Sequence, residues 1–272
     1  LTKLKVRPDG SLQSIEIAFD DQGAGPVIVL LHGFPFNRTL WEEQVNALKE
    51  KHRVITLDLR GHGESEVKGE AVSMEEMAKD VAGLLDKLEI KRAAIAGLSM
   101  GGYVALAFWR LFPMRVRALI LADTRAGADT DEGKQNRSVQ AEKAVKEGMD
   151  VIVSAMLPKL FSSNTVERQP AVVKRVKEMM LATDAVGAAA ALLGMAERHD
   201  QRPFLEEIIA PVLIIVGRED AITPVSESES MHRLIAGSRL EILEGAGHVS
   251  NMERPAEFNR CLLDFLQDIE AI

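Results

Sequence analysis

The residues best suited to chemistry in this chain are a serine, a histidine and an aspartate, far apart in sequence. Ser99 stands in Gly97-Leu98-Ser99-Met100-Gly101-Gly102, directly after an aliphatic run and before an apolar helical pattern. That context places the serine on a tight strand-to-helix turn with a strained backbone. Glycines two residues before and after it remove side chains that would collide there. The turn also aims the first free amides of the following helix at whatever sits beside the hydroxyl. A bare G-x-S-x-G pattern equally describes a glycine-rich turn with a capping serine. The strand before it and the helix after it favour the catalytic reading.

A serine hydroxyl is a poor nucleophile without a base, so a histidine oriented by a carboxylate is required. Of the six histidines, His248 lies in Gly245-Ala246-Gly247-His248, after the run Leu240 to Leu243. Asp220, in Gly217-Arg218-Glu219-Asp220, follows the buried run that ends at Val216. Both are therefore expected at carboxyl ends of strands, where open parallel sheets place their sites. Asp123 also follows a buried run and is the rival carboxylate. His32 and His62 sit in glycine-containing turns and are expected to brace backbone. His52, His199 and His232 lie among charged residues and are expected at the surface.

Positioning these groups falls to alternating elements. Val27 to Leu31, Val54 to Leu57, Ala93 to Ala96, Ala118 to Ala122 and Val212 to Val216 are short aliphatic runs. They read as strands buried on both faces, as in a parallel sheet covered by helices. Between them lie amphipathic segments. Ser73 with Glu76 forms a capping-box pattern, and Met74, Met77, Val81, Leu84, Leu85 and Leu88 follow at helical spacing. Pro255 opens a final helix whose stripe is Phe258, Cys261, Leu262, Phe265, Leu266 and Ile269. The alternation breaks between about Thr124 and Pro211, where Val139 to Leu160 and Val172 to Met195 read as helices. The expected class is α/β, with a helical insertion between two strands of one continuing sheet.

Composition narrows the function. The 272 residues are 46% hydrophobic and 27% charged, with a net charge of −8 and no basic block. Such a surface repels phosphate backbones, so nucleic acid is not an expected partner. The apolar stretch Ala185 to Ala196 is too short to cross a bilayer, so no membrane contact is expected either. A single cysteine, Cys261, excludes an intramolecular disulfide and any cysteine-based metal cluster, and it reads as a small buried hydrophobe. No secretory segment opens the sequence as given, which makes a reduced, cytoplasmic setting the expectation.

Several stretches occur together and in order: Leu31-His32-Gly33-Phe34-Pro35, Asp58-Leu59-Arg60-Gly61-His62-Gly63-Glu64-Ser65, the Ser99 turn, the Asp220 loop and Gly247-His248. With them the sequence resembles the α/β-hydrolase superfamily over essentially its whole length. Leu121-Ala122-Asp123-Thr124-Arg125 and the Ser99 turn look most like bacterial esterases and the 3-oxoadipate enol-lactonase-like group. The resemblance implies a mostly parallel sheet flanked by helices, with residues 1–125 and 204–272 as core and 126–203 as an inserted helical cap. It implies Ser99 as nucleophile, His248 as general acid–base and Asp220 as its carboxylate. The backbone N–H groups of Phe34 and Met100 would form the oxyanion hole.

The implied activity needs neither cofactor nor metal: hydrolysis of a small carboxylic ester or lactone through an acyl-enzyme. Haloalkane dehalogenases and epoxide hydrolases of this fold carry aspartate at the nucleophile position and dienelactone hydrolases carry cysteine, so those readings are weak here. A cofactor-free haloperoxidase or perhydrolase, a carbon–carbon bond hydrolase and a triad-bearing ligand receptor remain alternatives. Arg125, after a strand end near the expected site, is a candidate for binding an anionic substrate group; pairing with Asp123 or Asp129, or exposure to solvent, would explain it equally well. Trp41 is expected to pack a helix near the oxyanion loop, with pocket contact as the alternative. Met156, Leu157, Leu160, Phe161, Met179, Met180, Leu192, Leu193 and Met195 are expected mostly to pack the cap, a few of them lining the pocket.

Overall fold

The computed structural model describes residues 2–7 and 14–270. Its eight strands are β1 (Thr2–Val6), β2 (Ile15–Gln22), β3 (Val27–Leu31), β4 (Arg53–Leu57), β5 (Ala93–Leu98), β6 (Val116–Ala122), β7 (Val212–Gly217) and β8 (Arg239–Leu243). They form one sheet in the order β1-β2-β4-β3-β5-β6-β7-β8. The pairings β1–β2 and β2–β4 are antiparallel and all others parallel. The central parallel strands are the aliphatic runs read from sequence. The two antiparallel strands at the amino-terminal edge were not among those runs. Their signal is the period-two placing of Ile15, Ile17 and Phe19, all buried, in a segment that also carries charge.

The helices are α1 (Glu42–Leu48), α2 (Met74–Lys87), α3 (Met100–Leu111), α4 (Asp131–Glu147), α5 (Asp150–Met156), α6 (Ser163–Arg168), α7 (Pro170–Leu181), α8 (Ala185–Ala196), α9 (Val225–Leu234), α10 (Ser250–Glu253) and α11 (Pro255–Glu270). Because successive strand residues face opposite sides, β3 sends Val29 and Leu31 into one core with α2, α3 and α9. Ile28 and Leu30 enter a second core with α1 and α11. Full burial of each such aliphatic side chain stabilises the fold by about 1.5–3 kcal/mol relative to exposure. The capping box closes the start of α2, with Ser73 Oγ accepting from Glu76 N–H and Glu76 accepting from Ser73 N–H.

Helices α4 to α8 form the insertion between β6 and β7, as the loss of strand signal there leads one to expect. Several hydrogen bonds seat it over the carboxyl ends of the strands, two of them beside the loops of Phe34 and His248. Thr183 Oγ1 donates to the Pro35 carbonyl at 2.8 Å, and His248 N–H donates to the Leu160 carbonyl at 2.8 Å. The alanine-rich α8 packs on α4 and touches the core backbone. A Cβ on Gly187 would fall 1.9 Å from the Gly61 carbonyl oxygen, which explains the glycine there. No single helix among the described residues is long and apolar enough to cross a membrane.

Candidate active site

Ser99 is the N-cap residue of α3 and sits at φ 53°, ψ −114°, a region costing an L-residue about 1–3 kcal/mol. Neighbouring bonds hold it there: Ser99 N–H donates to the Ala122 carbonyl at 2.9 Å, and Thr124 Oγ1 donates to the Ser99 carbonyl at 2.8 Å. The glycine requirement is steric. A Cβ on Gly97 would meet the Gly101 carbonyl oxygen at 2.1 Å, and one on Gly101 would meet the Leu31 carbonyl oxygen at 2.2 Å. The turn therefore closes only with glycine at both places.

His248 and Asp220 converge on this serine. His248 Nε2 lies 2.9 Å from Ser99 Oγ, and His248 Nδ1 lies 2.8 Å from Asp220 Oδ2. An ionised carboxylate can only accept, so Nδ1 carries the ring proton and Nε2 is left to accept from the serine hydroxyl. Asp220 is itself fixed: Ile222 and Thr223 N–H donate to Oδ1 at 2.8 and 2.9 Å, and Thr223 Oγ1 donates to Oδ2 at 2.7 Å. Burial pushes the Asp220 carboxyl upward, but the charge and hydrogen bond of His248 and the bonds from Thr223 more than offset this. The group stays below its ordinary value and is ionised at neutral pH.

A model of the alpha/beta hydrolase fold family matches residues 26–255. The chain belongs to that family. A thermophilic esterase from Thermogutta terrifontis, solved with malate bound, is 40% identical, with a TM-score of 0.97 over 99% of each chain. The enol-lactonase from Burkholderia xenovorans LB400 is 33% identical with a TM-score of 0.87, over 93% of this chain and 97% of that one. The 3-oxoadipate enol-lactonase 2 of Acinetobacter baylyi is 31% identical across 241 residues, 89% of this chain and 88% of the relative.

Two main-chain segments lie against the serine turn of this alpha/beta hydrolase, the start of α3 and the loop after β3. Met100 is the first residue of α3, so its N–H has no intrahelical acceptor. The loop carrying Phe34 lies against the turn, since a Cβ on Gly33 would stand 3.2 Å from Ser99 Cβ. His32 braces that loop from beneath. Its Nδ1–H donates to the Gly33 carbonyl at 2.8 Å and its Nε2 accepts from Leu59 N–H at 2.9 Å, which fixes a neutral ring. His62 packs against it, with ring centroids 5.1 Å apart, and edge-on against Phe34 at 6.0 Å.

Burial pushes His32 down to about 4. It pushes His62 to about 3, with His32 adding to the effect. Because these folded values lie below the usual 6.5, their contribution to stability is complete above pH 6.5. It is lost as pH falls toward 4 and 3. Each such histidine steepens the loss by about 1.4 kcal/mol per pH unit. His62→Asn keeps a donor toward the Arg60 carbonyl but cannot titrate. Denaturant unfolding between pH 6 and 4.5 should therefore lose stability less steeply in this variant than in the wild type; parallel slopes would contradict the assignment.

Asp123, the rival carboxylate, bonds other groups than His248. Its Oδ1 accepts from Gly217 N–H at 2.9 Å and its Oδ2 contacts Ser250 Oγ. Complete burial, reinforced by the charge of Asp220, holds its carboxyl well above the ordinary range. Arg125 pairs with Asp129 at 2.6 Å, one of the options open in the sequence. Unforeseen from sequence is that Arg137 and Arg198 share the same carboxylate. Burial raises the Asp129 carboxyl, but hydrogen bonds from Arg198 and Arg137 more than reverse this and leave it below its ordinary value. Arg125, Asp129, Arg137 and Lys159 line a cavity of about 220 Å³ together with Phe34, Met156, Leu192 and Ile222. Of the cap residues named from sequence, Met156 and Leu192 thus reach this space.

Trp41 packs as expected: it is fully buried with its ring against Phe258, centroids 6.0 Å apart, in the core shared with α11. One expectation is corrected. His52 is not at the surface. It is 4% exposed, with Nε2 3.0 Å from Glu270 Oε1, because the end of α11 folds over it.

Proposed function

We propose that this chain is a serine hydrolase that cleaves a small carboxylic ester or lactone through an acyl-enzyme on Ser99. The observation that carries the reading is the continuous Ser99–His248–Asp220 chain of hydrogen bonds on a strained strand-to-helix turn. Ser99 Oγ attacks the carbonyl as its proton passes to His248 Nε2. The charge formed on the carbonyl oxygen is taken by the Phe34 and Met100 amides, each contributing about 2.7–4 kcal/mol to transition-state stabilisation. The imidazolium, held by Asp220, protonates the departing alkoxide. Water deprotonated by the same nitrogen then attacks the acyl-enzyme and frees the acid. The helical insertion acts as the cap that bounds the substrate space.

Turnover of p-nitrophenyl esters from acetate to decanoate tests the reading. A short-chain optimum is expected from a cavity of about 220 Å³. No turnover of any member, nor of simple lactones, would overturn it.

The finer reading concerns charge. Three cationic side chains, Arg125, Arg137 and Lys159, face the cavity beside a single carboxylate, Asp129. Such a wall favours a substrate that carries a carboxylate of its own, with Arg125 as one of its partners. Arg125→Ala should raise KM for a carboxylate-bearing ester or lactone about tenfold, the loss of one charge-assisted hydrogen bond. It should leave neutral esters nearly unchanged. Equal effects on both would refute the charge argument and leave the hydrolase reading standing.

A further inference from the structure

Behind the triad lies a buried carboxylate that the mechanism above does not use. Glu253, at the end of α10 and five residues after the base, is 2% exposed. Its two oxygens accept from two different parts of the molecule. Oε1 accepts from Gly247 N–H at 2.7 Å, immediately before His248, and Oε2 accepts from Ser162 N–H at 2.8 Å, in the insertion. The same two segments meet in other ways. His248 N–H donates to the Leu160 carbonyl at 2.8 Å, and Ser162 Oγ donates to the Gly245 carbonyl at 3.0 Å. They touch so closely that a Cβ on Gly247 would fall 2.7 Å from the Phe161 carbonyl carbon. The remaining side chains of α10 tie it to the core, with Ser250 on Asp123 and Asn251 Nδ2 donating to the Leu40 carbonyl at 3.0 Å.

We propose that Glu253 is a positioning residue that locks the His248 loop to the cap segment Leu160–Ser162, so that the cap as well as the core sets the position of the base. The inference rests on the reading of His248 as general base. Glu253 touches neither substrate nor reacting atoms. Its effect passes through two charge-assisted bonds, which are short and directional and hold the backbone on both sides. A base must sit within hydrogen-bond reach of the proton it takes, and a displacement of about 1 Å at a reacting group can cost about a hundredfold in rate. One contact of the base loop with the insertion is a main-chain bond, His248 N–H to the Leu160 carbonyl, and the Ser162 hydroxyl adds another at Gly245. Glu253 is the charged group that holds both segments at once, one with each oxygen.

The test compares Glu253→Gln with the wild type, counting active sites by reaction with a fluorophosphonate and assaying p-nitrophenyl butyrate. Glutamine keeps the shape but must turn its amide donor toward one of the two N–H groups. We expect kcat per titrated site to fall about tenfold or more, with KM within about twofold, because a misplaced base impairs chemistry rather than binding. A purely structural role would lower the number of titratable sites or the melting temperature and leave kcat per site unchanged; that result overturns the proposal. Ser162→Pro serves as the second variant. Ser162 already has φ −66°, which proline adopts, and the change deletes the N–H that Glu253 accepts from, together with the hydroxyl bonded to Gly245 and Thr165. It should also lower kcat per site, and Glu253→Gln should then cost less in its background than alone; fully multiplicative losses would contradict the bridge. His248→Ala, assayed in parallel, separates the two layers. Activity retained there would sink the triad reading itself, whereas an inactive His248→Ala beside an unimpaired Glu253→Gln would sink only the bridge.

Discussion

Ser99→Ala is expected to lower kcat by about six orders of magnitude while leaving the fold intact, since removing a nucleophile that acts as one unit with its base costs as much as removing the whole triad. The alanine methyl fits where the serine Cβ already stands. The surrounding backbone bonds, from Ser99 N–H to Ala122 and from Thr124 to the Ser99 carbonyl, involve no Oγ. The melting temperature should therefore stay near that of the wild type while turnover of every p-nitrophenyl ester disappears. Residual rates above the uncatalysed reaction are expected from the two main-chain amides, which no side-chain change removes. Activity within tenfold of the wild type would mean that another group attacks the carbonyl.

Asp220→Asn is expected to lower kcat by about four orders of magnitude, through the wrong tautomer of the base and not through lost packing. Ile222 and Thr223 N–H will keep the asparagine carbonyl oxygen at the Oδ1 position. Its NH2 group must then face His248 Nδ1, which is driven to accept. The ring proton moves to Nε2, where it points at Ser99 and blocks proton transfer from the hydroxyl. Asp123→Asn makes the informative contrast. Burial beside Asp220 pushes that carboxyl well above its ordinary range, and it bonds Gly217 and Ser250 instead of the base. An asparagine keeps an acceptor for Gly217 N–H and takes nothing from His248, so activity should remain close to wild type. Measuring both variants by kcat on one ester decides which aspartate serves the base; comparable losses in the two would undo the assignment.

What could be read from the sequence was whatever leaves a local pattern. A strand buried on both faces writes a run of aliphatic residues, and the turn at Ser99 writes glycines at Gly97 and Gly101 because any Cβ there meets a carbonyl oxygen within 2.2 Å. The loop of Asp220 is legible because it follows such a strand, β7, whereas that of His248 follows the half-exposed β8 and is marked by its own glycines, Gly245 and Gly247. Strand β1 at the sheet edge and β2 beside it leave a weaker trace because they are partly solvated and mixed with charge, so their alternation is weak beside the central runs. Charged neighbours make His52 read as exposed, whereas the covering element, the end of α11, lies more than two hundred residues later. The convergence of Arg125, Arg137 and Arg198 on Asp129 depends on how the insertion folds back over the sheet, and surface arginines on a polar helix look the same in sequence. Bonds such as His248 N–H to the Leu160 carbonyl join main-chain groups, which any residue supplies, so they leave no trace at all.

The central claim is that one serine, activated by His248 and Asp220, forms a covalent acyl intermediate. Its most direct test is to react the wild-type chain with a fluorophosphonate and locate the adduct by peptide mass. One equivalent on the peptide that carries Ser99 is expected, formed far more slowly in His248→Ala and Asp220→Asn. Labelling of a different residue, or stoichiometric labelling of Ser99 at an unchanged rate in those variants, would contradict the account.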